Sequence, residues 1–215
     1  MRDCVFCPPL RYRLNAVADL PGADAVLAAD DEFLLMPDLA PLADGHLLLV
    51  TERHHRCAGA FDDELWARAR AWRDRIAGLY QAAYGAADLT LFEHGPAGPQ
   101  SGGACVDHAH WHFLPGTAGM RPLVEGRGLP GEPASPAALR ARLRAGRSYL
   151  LVEEDGAATV HPGDGVPGQF LRWAAATALG DGHAWRWQET FGLPRGRARF
   201  RRTLDQLAAC ADSHQ

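Results

Sequence analysis

The sequence predicts an α+β fold, with a compact mixed unit in residues 1–120 and an α/β extension in residues 121–215. Three observations predict it. Short strand-like apolar runs flank one long amphipathic segment. Histidines occupy alternate positions in His108-Ala109-His110-Trp111-His112, a spacing that shares one face on a strand and not on a helix. With 215 residues, 47% of them hydrophobic and six of them tryptophan, the chain can bury one substantial core.

In chain order, Ala25–Ala29, Phe33–Met36 and Gly45–Thr51 read as strands. The helix that follows is the clearest local signal. Asp62 can cap it, Phe61 and Trp66 sit in staple positions, and Leu65, Ala69, Trp72, Ile76, Leu79 and Ala83 recur at three- and four-residue steps. Leu89–Glu93 and the histidine segment complete the first unit as strands. Residues 121–134, rich in Gly and Pro, read as a linker or long loop. Beyond them the sequence predicts a helix near Pro136–Ala145, strands near Tyr149–Glu153 and Ala157–Val160, a helix over Gln169–Leu179 and a last helix ending near Cys210. The apolar runs of 121–215 are short, so the extension is expected to pack on the first unit.

Composition narrows the function. The formal charge of −4 argues against a protein built mainly to hold nucleic-acid backbone, and no apolar run approaches the roughly 20 residues that span a bilayer. The start, Met1-Arg2-Asp3-Cys4, lacks the apolar stretch of a secretory signal, which makes a cytoplasmic location the expectation. All 22 basic residues are arginine. Chemistry that needs lysine, such as a Walker-type phosphate loop or a pyridoxal Schiff base, is therefore excluded.

Two stretches carry chemistry. Strand geometry places neighbouring imidazoles of the histidine row about 7 Å apart, beside Gly102-Gly103-Ala104-Cys105, a loop able to bring backbone N–H groups to an anion. Near the start, Cys4-Val5-Phe6-Cys7 can bite one tetrahedral metal through two thiolates, or can be free thiols or a redox pair. As a metal site it needs two more ligands, for which His54, His55 and His108 are the candidates.

In this order, Cys-x-x-Cys, then Gly45-His46-Leu47-Leu48-Leu49-Val50-Thr51-Glu52-Arg53-His54, a helix, a strand, a glycine-rich loop and His-x-His-x-His, the sequence over roughly residues 1–116 resembles the histidine triad (HIT) superfamily of nucleotide hydrolases and transferases. That superfamily includes dinucleoside-polyphosphate phosphorylases and galactose-1-phosphate uridylyltransferase. The resemblance implies an antiparallel sheet with one main helix, a nucleotide or nucleotide-conjugate substrate, and a homodimer. It makes His110 the nucleophile at an α-phosphate, forming a covalent nucleotidyl-histidine, with His112 stabilising charge or handling the leaving-group proton. Uridylyltransferases carry glutamine at that second position, so His112 leans toward hydrolysis. By the same resemblance His46 is a further active-site histidine and Asp38 a ribose contact. Cys105 takes the place of a phosphate-contacting serine, Gly103 and Ala104 offer N–H groups, and Cys4, Cys7, His54 and His108 hold a structural Zn²⁺, with His55 as the substitute for His54.

Some positions depart from the family pattern. Glu93-His94-Gly95 stands where triad proteins have Asn before a glycine, which places Glu93 among the candidate substrate contacts with an altered role. Asp107 brings negative charge beside an anion site unless it points away, and Arg121, Arg172 or the Arg195–Arg202 run could offset it. Gln169 and Arg172, opening an apolar helix, are candidates to fold back over the site. On residues alone His46 is also read as a core histidine, Asp38 as a turn residue, and the Arg-rich run as a solvated face. A metal-binding histidine cluster, or a zinc-stabilised nucleotide-binding sensor with little turnover, competes with the enzyme reading.

Overall fold

A computed structural model describes residues 4–8, 10, 11, 25–99 and 101–211, without the side chains of residues 209–211. Eight strands form one sheet: β1 (Ala28–Ala29), β2 (Phe33–Pro37), β3 (Leu47–Thr51), β4 (Leu89–Gly95), β5 (His110–Pro115), β6 (Glu132–Pro133), β7 (Tyr149–Glu154) and β8 (Ala157–Pro162). Their order is β1-β2-β3-β5-β4-β7-β8-β6, and every pairing is antiparallel. The α+β class with an antiparallel sheet is therefore the observed one. The helices are α1 (Asp63–Tyr84), α2 (Arg121–Glu125), α3 (Pro136–Arg144), α4 (Phe170–Ala178), α5 (Trp187–Thr190) and α6 (Pro194–Ala211).

Strand alternation sorts the side chains onto two faces. Phe33, Leu35, Leu47, Leu49, Leu89, Leu91, Trp111, Phe113 and Leu151 form one, and α1 covers it with Leu65, Ala69, Trp72, Ile76, Leu79 and Tyr80. Burying each large apolar side chain of that stripe contributes about 1.5–3 kcal/mol. The predicted cap is present: Asp62 accepts the Leu65 N–H at 2.8 Å, and Gly85, at φ 65, ends the helix in the left-handed region. Ala83 is half-buried against this core as expected, and Tyr80 joins the stripe fully buried, its hydroxyl donating to the Gly45 carbonyl at 2.6 Å.

The opposite face carries the even-numbered residues Met36, Leu48, Val50, Phe92, His110, His112, Leu150 and Val152. Helix α4 packs there through Phe170, Leu171, Ala174 and Ala175. Between β2 and β3 the chain turns at Gly45, φ +80, whose N–H donates to Thr203 Oγ1 of α6 at 2.9 Å. That anchor from the far end of the chain fixes the entry of His46.

The structure differs from the sequence reading in four elements. Of the first expected strand, Ala28–Ala29 form β1, with the Leu27 N–H donating to the Leu35 carbonyl at 2.8 Å just before it, and β3 begins after the Gly45 turn. The histidine strand starts at His110, with His108 just before it. Residues 121–134 are not a plain loop: they hold α2 and β6. Glu154 of β7 explains α2, since its carboxylate accepts the N–H groups of Gly119, Met120 and Arg121 at 2.7, 2.9 and 3.1 Å and caps the helix start from a distant strand.

Candidate active site and metal centre

Backbone groups fix the tautomers of the histidines on the even face. Nδ1 of His110 lies 2.6 Å from the His108 carbonyl oxygen and must donate to it, which leaves the lone pair on Nε2. At His46 the logic runs through a relay. Its Nδ1 accepts the Leu42 N–H at 3.1 Å, so its Nε2 carries the proton and donates to Nδ1 of His112 at 3.0 Å. The proton of His112 is thereby placed on Nε2. Phe92 stacks on the His112 ring with centroids 4.5 Å apart and holds its plane.

Burial keeps these rings neutral. It pushes His46 down to about 4, with Arg172 and Arg199 adding to the shift, and it lowers His110 and His112 below the ordinary histidine range. Asp38 sits behind them, with Oδ2 3.5 Å from His112 Nδ1 and 3.7 Å from His46 Nε2. Burial alone would raise its pKa. The Arg172 guanidinium, with His46 and His112, instead pulls it well below the usual carboxylate value.

Arg172 comes from α4 and is 4% exposed. It donates to Asp38 Oδ2 at 2.7 Å, to the Ala40 carbonyl at 2.6 Å and to the Trp185 carbonyl at 3.0 Å. Every nitrogen of the fork is engaged. The buried ion pair ties the extension to the turn that carries Asp38.

A pocket of about 380 Å³ opens over this cluster. His94, His110, His112, Asp38 and Arg172 supply its polar groups. Phe6, Leu39, Leu48 and Val106 line its apolar side, and the extension adds Gln169, Trp187 and Phe191. Gln169, buried at φ 62, gives its N–H to the Gly103 carbonyl at 2.8 Å and accepts the Trp187 N–H at 2.8 Å, so it joins the glycine-rich loop to the aromatic wall.

Beside the pocket, Cys4, Cys7, His54 and His108 bring their ligand atoms within 4.8 Å of one another. Sγ of Cys4 lies 3.4 Å from Nδ1 of His108, and Sγ of Cys7 lies 3.4 Å from Nδ1 of His54 and 3.5 Å from Nδ1 of His108. Nε2 of His108 donates to the Thr51 carbonyl at 2.7 Å, which leaves Nδ1 free to ligate. The donor set is compatible with a structural metal. Of the two adjacent histidines, His54 joins the group, whereas the His55 ring packs against Phe61 at 5.6 Å. Phe6, between the two cysteines, touches the rings of His108 and His110 at 5.8 and 5.3 Å.

The structure brings together His110, His112, Asp38, Gly103, Ala104, Cys105, Gln169 and Arg172 around the pocket, with His46 behind it. It does not bring Glu93 there. Glu93 has the parity of Leu89 and Leu91, faces α1, and is 1% exposed, where it accepts from Tyr149 Oη at 2.7 Å and the Ala58 N–H at 2.8 Å. Ala104 also differs from expectation, because its N–H is spent within the loop on the Ser101 carbonyl at 3.1 Å. Asp107 is not among the pocket residues. The arginines expected to offset it are held elsewhere: Arg121 by the Glu154 and Ala157 carbonyls, Arg195 by Asp181 and Arg202 by Asp44. His94, Trp187 and Phe191 were not foreseeable as site residues. The first needs the strand register to assign its face, and the aromatics arrive from a separate part of the chain.

Burial raises the Glu93 carboxyl to about 7, with Tyr149 and Ala58 holding it partly down. The unfolded chain therefore loses this proton near 4.5, whereas the folded one keeps it until about 7. Stability falls as pH rises across that window, by about 3 kcal/mol. Glu93→Gln, which mimics the protonated carboxyl, is expected to remove the slope and to be the more stable form above pH 7 by a similar amount, as read from urea midpoints at a series of pH values.

Residues 22–119 match the family of the HIT domain. Solved structures similar to the chain include a HIT-like protein involved in cell-cycle regulation from Bartonella henselae, at 21% identity over 54% of this chain and 76% of that one, TM-score 0.40. A HIT family member from Bacillus subtilis is similar at 24% identity over 53% and 72%, TM-score 0.40. A HIT family hydrolase from Clostridium thermocellum is similar at 20% identity over 54% and 92%, TM-score 0.39. No curated protein matches the chain. The domain match supports the HIT superfamily, the one the sequence resembles. No helix among the described residues is long and apolar enough to cross a membrane.

Proposed function

We propose that this chain, whose residues 22–119 match the HIT domain, is a nucleotide hydrolase or nucleotidyltransferase that acts at an α-phosphate through a covalent nucleotidyl-histidine on His110. One observation carries the reading. His110 is a pocket-lining imidazole whose Nδ1–H is locked on the His108 carbonyl, so that Nε2 is the nucleophilic nitrogen. As the bond from Nε2 to phosphorus forms, the bond to the leaving group breaks, and that group takes its proton from His112, which picks one up to become an imidazolium as the anionic substrate binds beside it. Water then attacks phosphorus, gives its proton to His112 and returns both imidazoles to their starting state. With an acceptor other than water the same two steps transfer the nucleotidyl group.

The lining narrows the substrate. Arg172 is the one arginine among the pocket residues, and its charge is matched by Asp38. A single phosphoryl group fits this balance better than an extended polyphosphate. The apolar wall suits a planar base.

The competing reading, a zinc-stabilised nucleotide-binding protein with little turnover, draws on the same engaged Arg172. Mass spectrometry of the protein mixed with adenosine 5′-phosphoramidate or a dinucleoside polyphosphate separates the two. An acid-labile nucleotidyl adduct on His110 is expected; turnover that persists unchanged without His110 overturns the first reading, and tight binding without turnover supports the second.

Cys4, Cys7, His54 and His108 would hold Zn²⁺. Their sulfur-to-nitrogen separations agree with the roughly 3.5 Å set by Zn–S near 2.3 Å and Zn–N near 2.0–2.1 Å on a tetrahedral ion. Bound there, zinc would brace the start of the histidine row. About one zinc per chain is expected by elemental analysis, with most of it lost, and the melting temperature lowered, in Cys4→Ser and Cys7→Ser. Full metal content in both variants would remove the assignment. A homodimer, implied by the resemblance, would meet through faces, because the outermost strands β1 and β6 are two residues each and offer little edge.

A further inference from the structure

We propose that His94 is a further catalytic residue, an imidazole fixed as an Nδ1–H donor to the phosphoryl group that His110 attacks, with its tautomer set by the C-terminal extension. This rests on the reading of His110 given above.

His94 belongs to the even face of β4, two residues after Phe92, and it lines the pocket while only 7% exposed. Its Nε2 accepts the Leu171 N–H at 3.0 Å. Leu171 is the second residue of α4, and the first N–H groups of a helix have no partner inside it, so the ring serves as a cap. A neutral imidazole has one donor and one acceptor nitrogen. With Nε2 accepting, the proton resides on Nδ1, and among the described residues Nδ1 has no partner.

The surroundings hold that state. Burial, with His112, His110 and Arg172 nearby, keeps the ring neutral well below the ordinary histidine range. Gly103 packs against it so closely that a Cβ at that position would lie 2.8 Å from Cδ2 of His94, at a φ of +76 that already favours glycine. The ring is clamped between the glycine-rich loop and the start of α4.

Some of the other donors are already engaged. Ala104 N–H is taken by Ser101, and the three nitrogens of Arg172 are taken by Asp38, Ala40 and Trp185. His94 and His112 line the same pocket as His110, so a phosphoryl oxygen bound there would meet the Nδ1–H of the first and the Nε2–H of the second. The first is a fixed, neutral donor of the kind that stabilises developing charge without having to reorganise.

Nitrogen-15 NMR of the histidine side chains, with AMP as the probe, tests the tautomer directly. The expected result is an Nδ1-protonated His94 whose Nδ1–H resonance shifts as AMP binds. His94→Phe, which keeps a flat ring and loses the donor, is expected to lower kcat for adenosine 5′-phosphoramidate about 10²-fold with KM little changed. His94→Asn, which restores an N–H donor, is expected to recover part of that loss. An Nε2-protonated ring, or an unmoved His94 signal while the His110 signal reports bound AMP, overturns the proposal, as does wild-type kcat in His94→Phe. Should His94→Phe not fold, the spectrum of the wild-type protein still decides. Absence of any His110 adduct in the wild type would count against the function proposed above and leave the AMP titration to judge His94.

Discussion

His110→Ala is expected to lower turnover of a nucleoside phosphoramidate by about 10³-fold or more, the scale at which loss of a covalent nucleophile is felt, and to abolish the acid-labile adduct. In the proposed mechanism the imidazole supplies the atom that bonds phosphorus, and the rings nearby are poorly placed to replace it. His112 has its Nδ1 occupied by His46, and His94 has its Nε2 occupied by Leu171. The cost to the fold is small by comparison. The substitution removes one hydrogen bond, to the His108 carbonyl, worth about 1 kcal/mol, and leaves the β3–β5 ladder intact. Denaturant unfolding near wild type, together with lost turnover in stopped assays, is the expected pair of results. An adduct on the alanine variant would remove His110 from the chemistry.

Arg172→Met is expected to be the most destabilising single change in the site, by about 3–5 kcal/mol, because it leaves the Asp38 carboxylate buried without its cation. Two further acceptors, the carbonyls of Ala40 and Trp185, lose their donor in the same step. The sign with pH follows from Asp38. Its folded pKa lies well below the ordinary 3.8, so the stabilisation is fully present above that value and is lost as pH falls through the depressed one. The gap between wild type and Arg172→Met should therefore be widest near neutrality and narrow in strong acid. Adding Asp38→Asn to Arg172→Met should recover part of the loss, since the orphaned charge is then gone; a double-mutant cycle in urea reads the coupling. A variant as stable as wild type at pH 7 would show that the pair contributes nothing.

What could be read from the chain in advance was what repeats locally. The cap at Asp62, the three- and four-residue rhythm of α1 and the two-residue rhythm of the histidines each depend on neighbours in sequence, and each is found in the fold. The ligand group is legible for a related reason, since the Cys-x-x-Cys pair and the histidines are few enough in type to be matched. The partnerships that shape the pocket are of another kind. Asp38 meets Arg172 across 134 positions, and α2 takes its cap from Glu154, 33 positions beyond Arg121. Glu93, expected at the pocket, yields that place to His94 because a one-residue step on a strand changes face, and only the register of β4 on β5 says which residues share the face of His112.

The seam between β4 and β7 has a consequence for how the molecule holds together. Five consecutive residue pairs, from Leu91 with Glu153 to Gly95 with Tyr149, join the triad-bearing half to the rest of the chain by backbone hydrogen bonds. A polypeptide severed near residue 120 would bare the outer row of N–H and C=O groups on β4, as well as the apolar side chains that Leu150 and Val152 now meet, and a naked edge of that length invites aggregation. The tail is expected to be no detachable appendage: the triad-bearing half and its appended strands share one ladder, and neither should melt without the other.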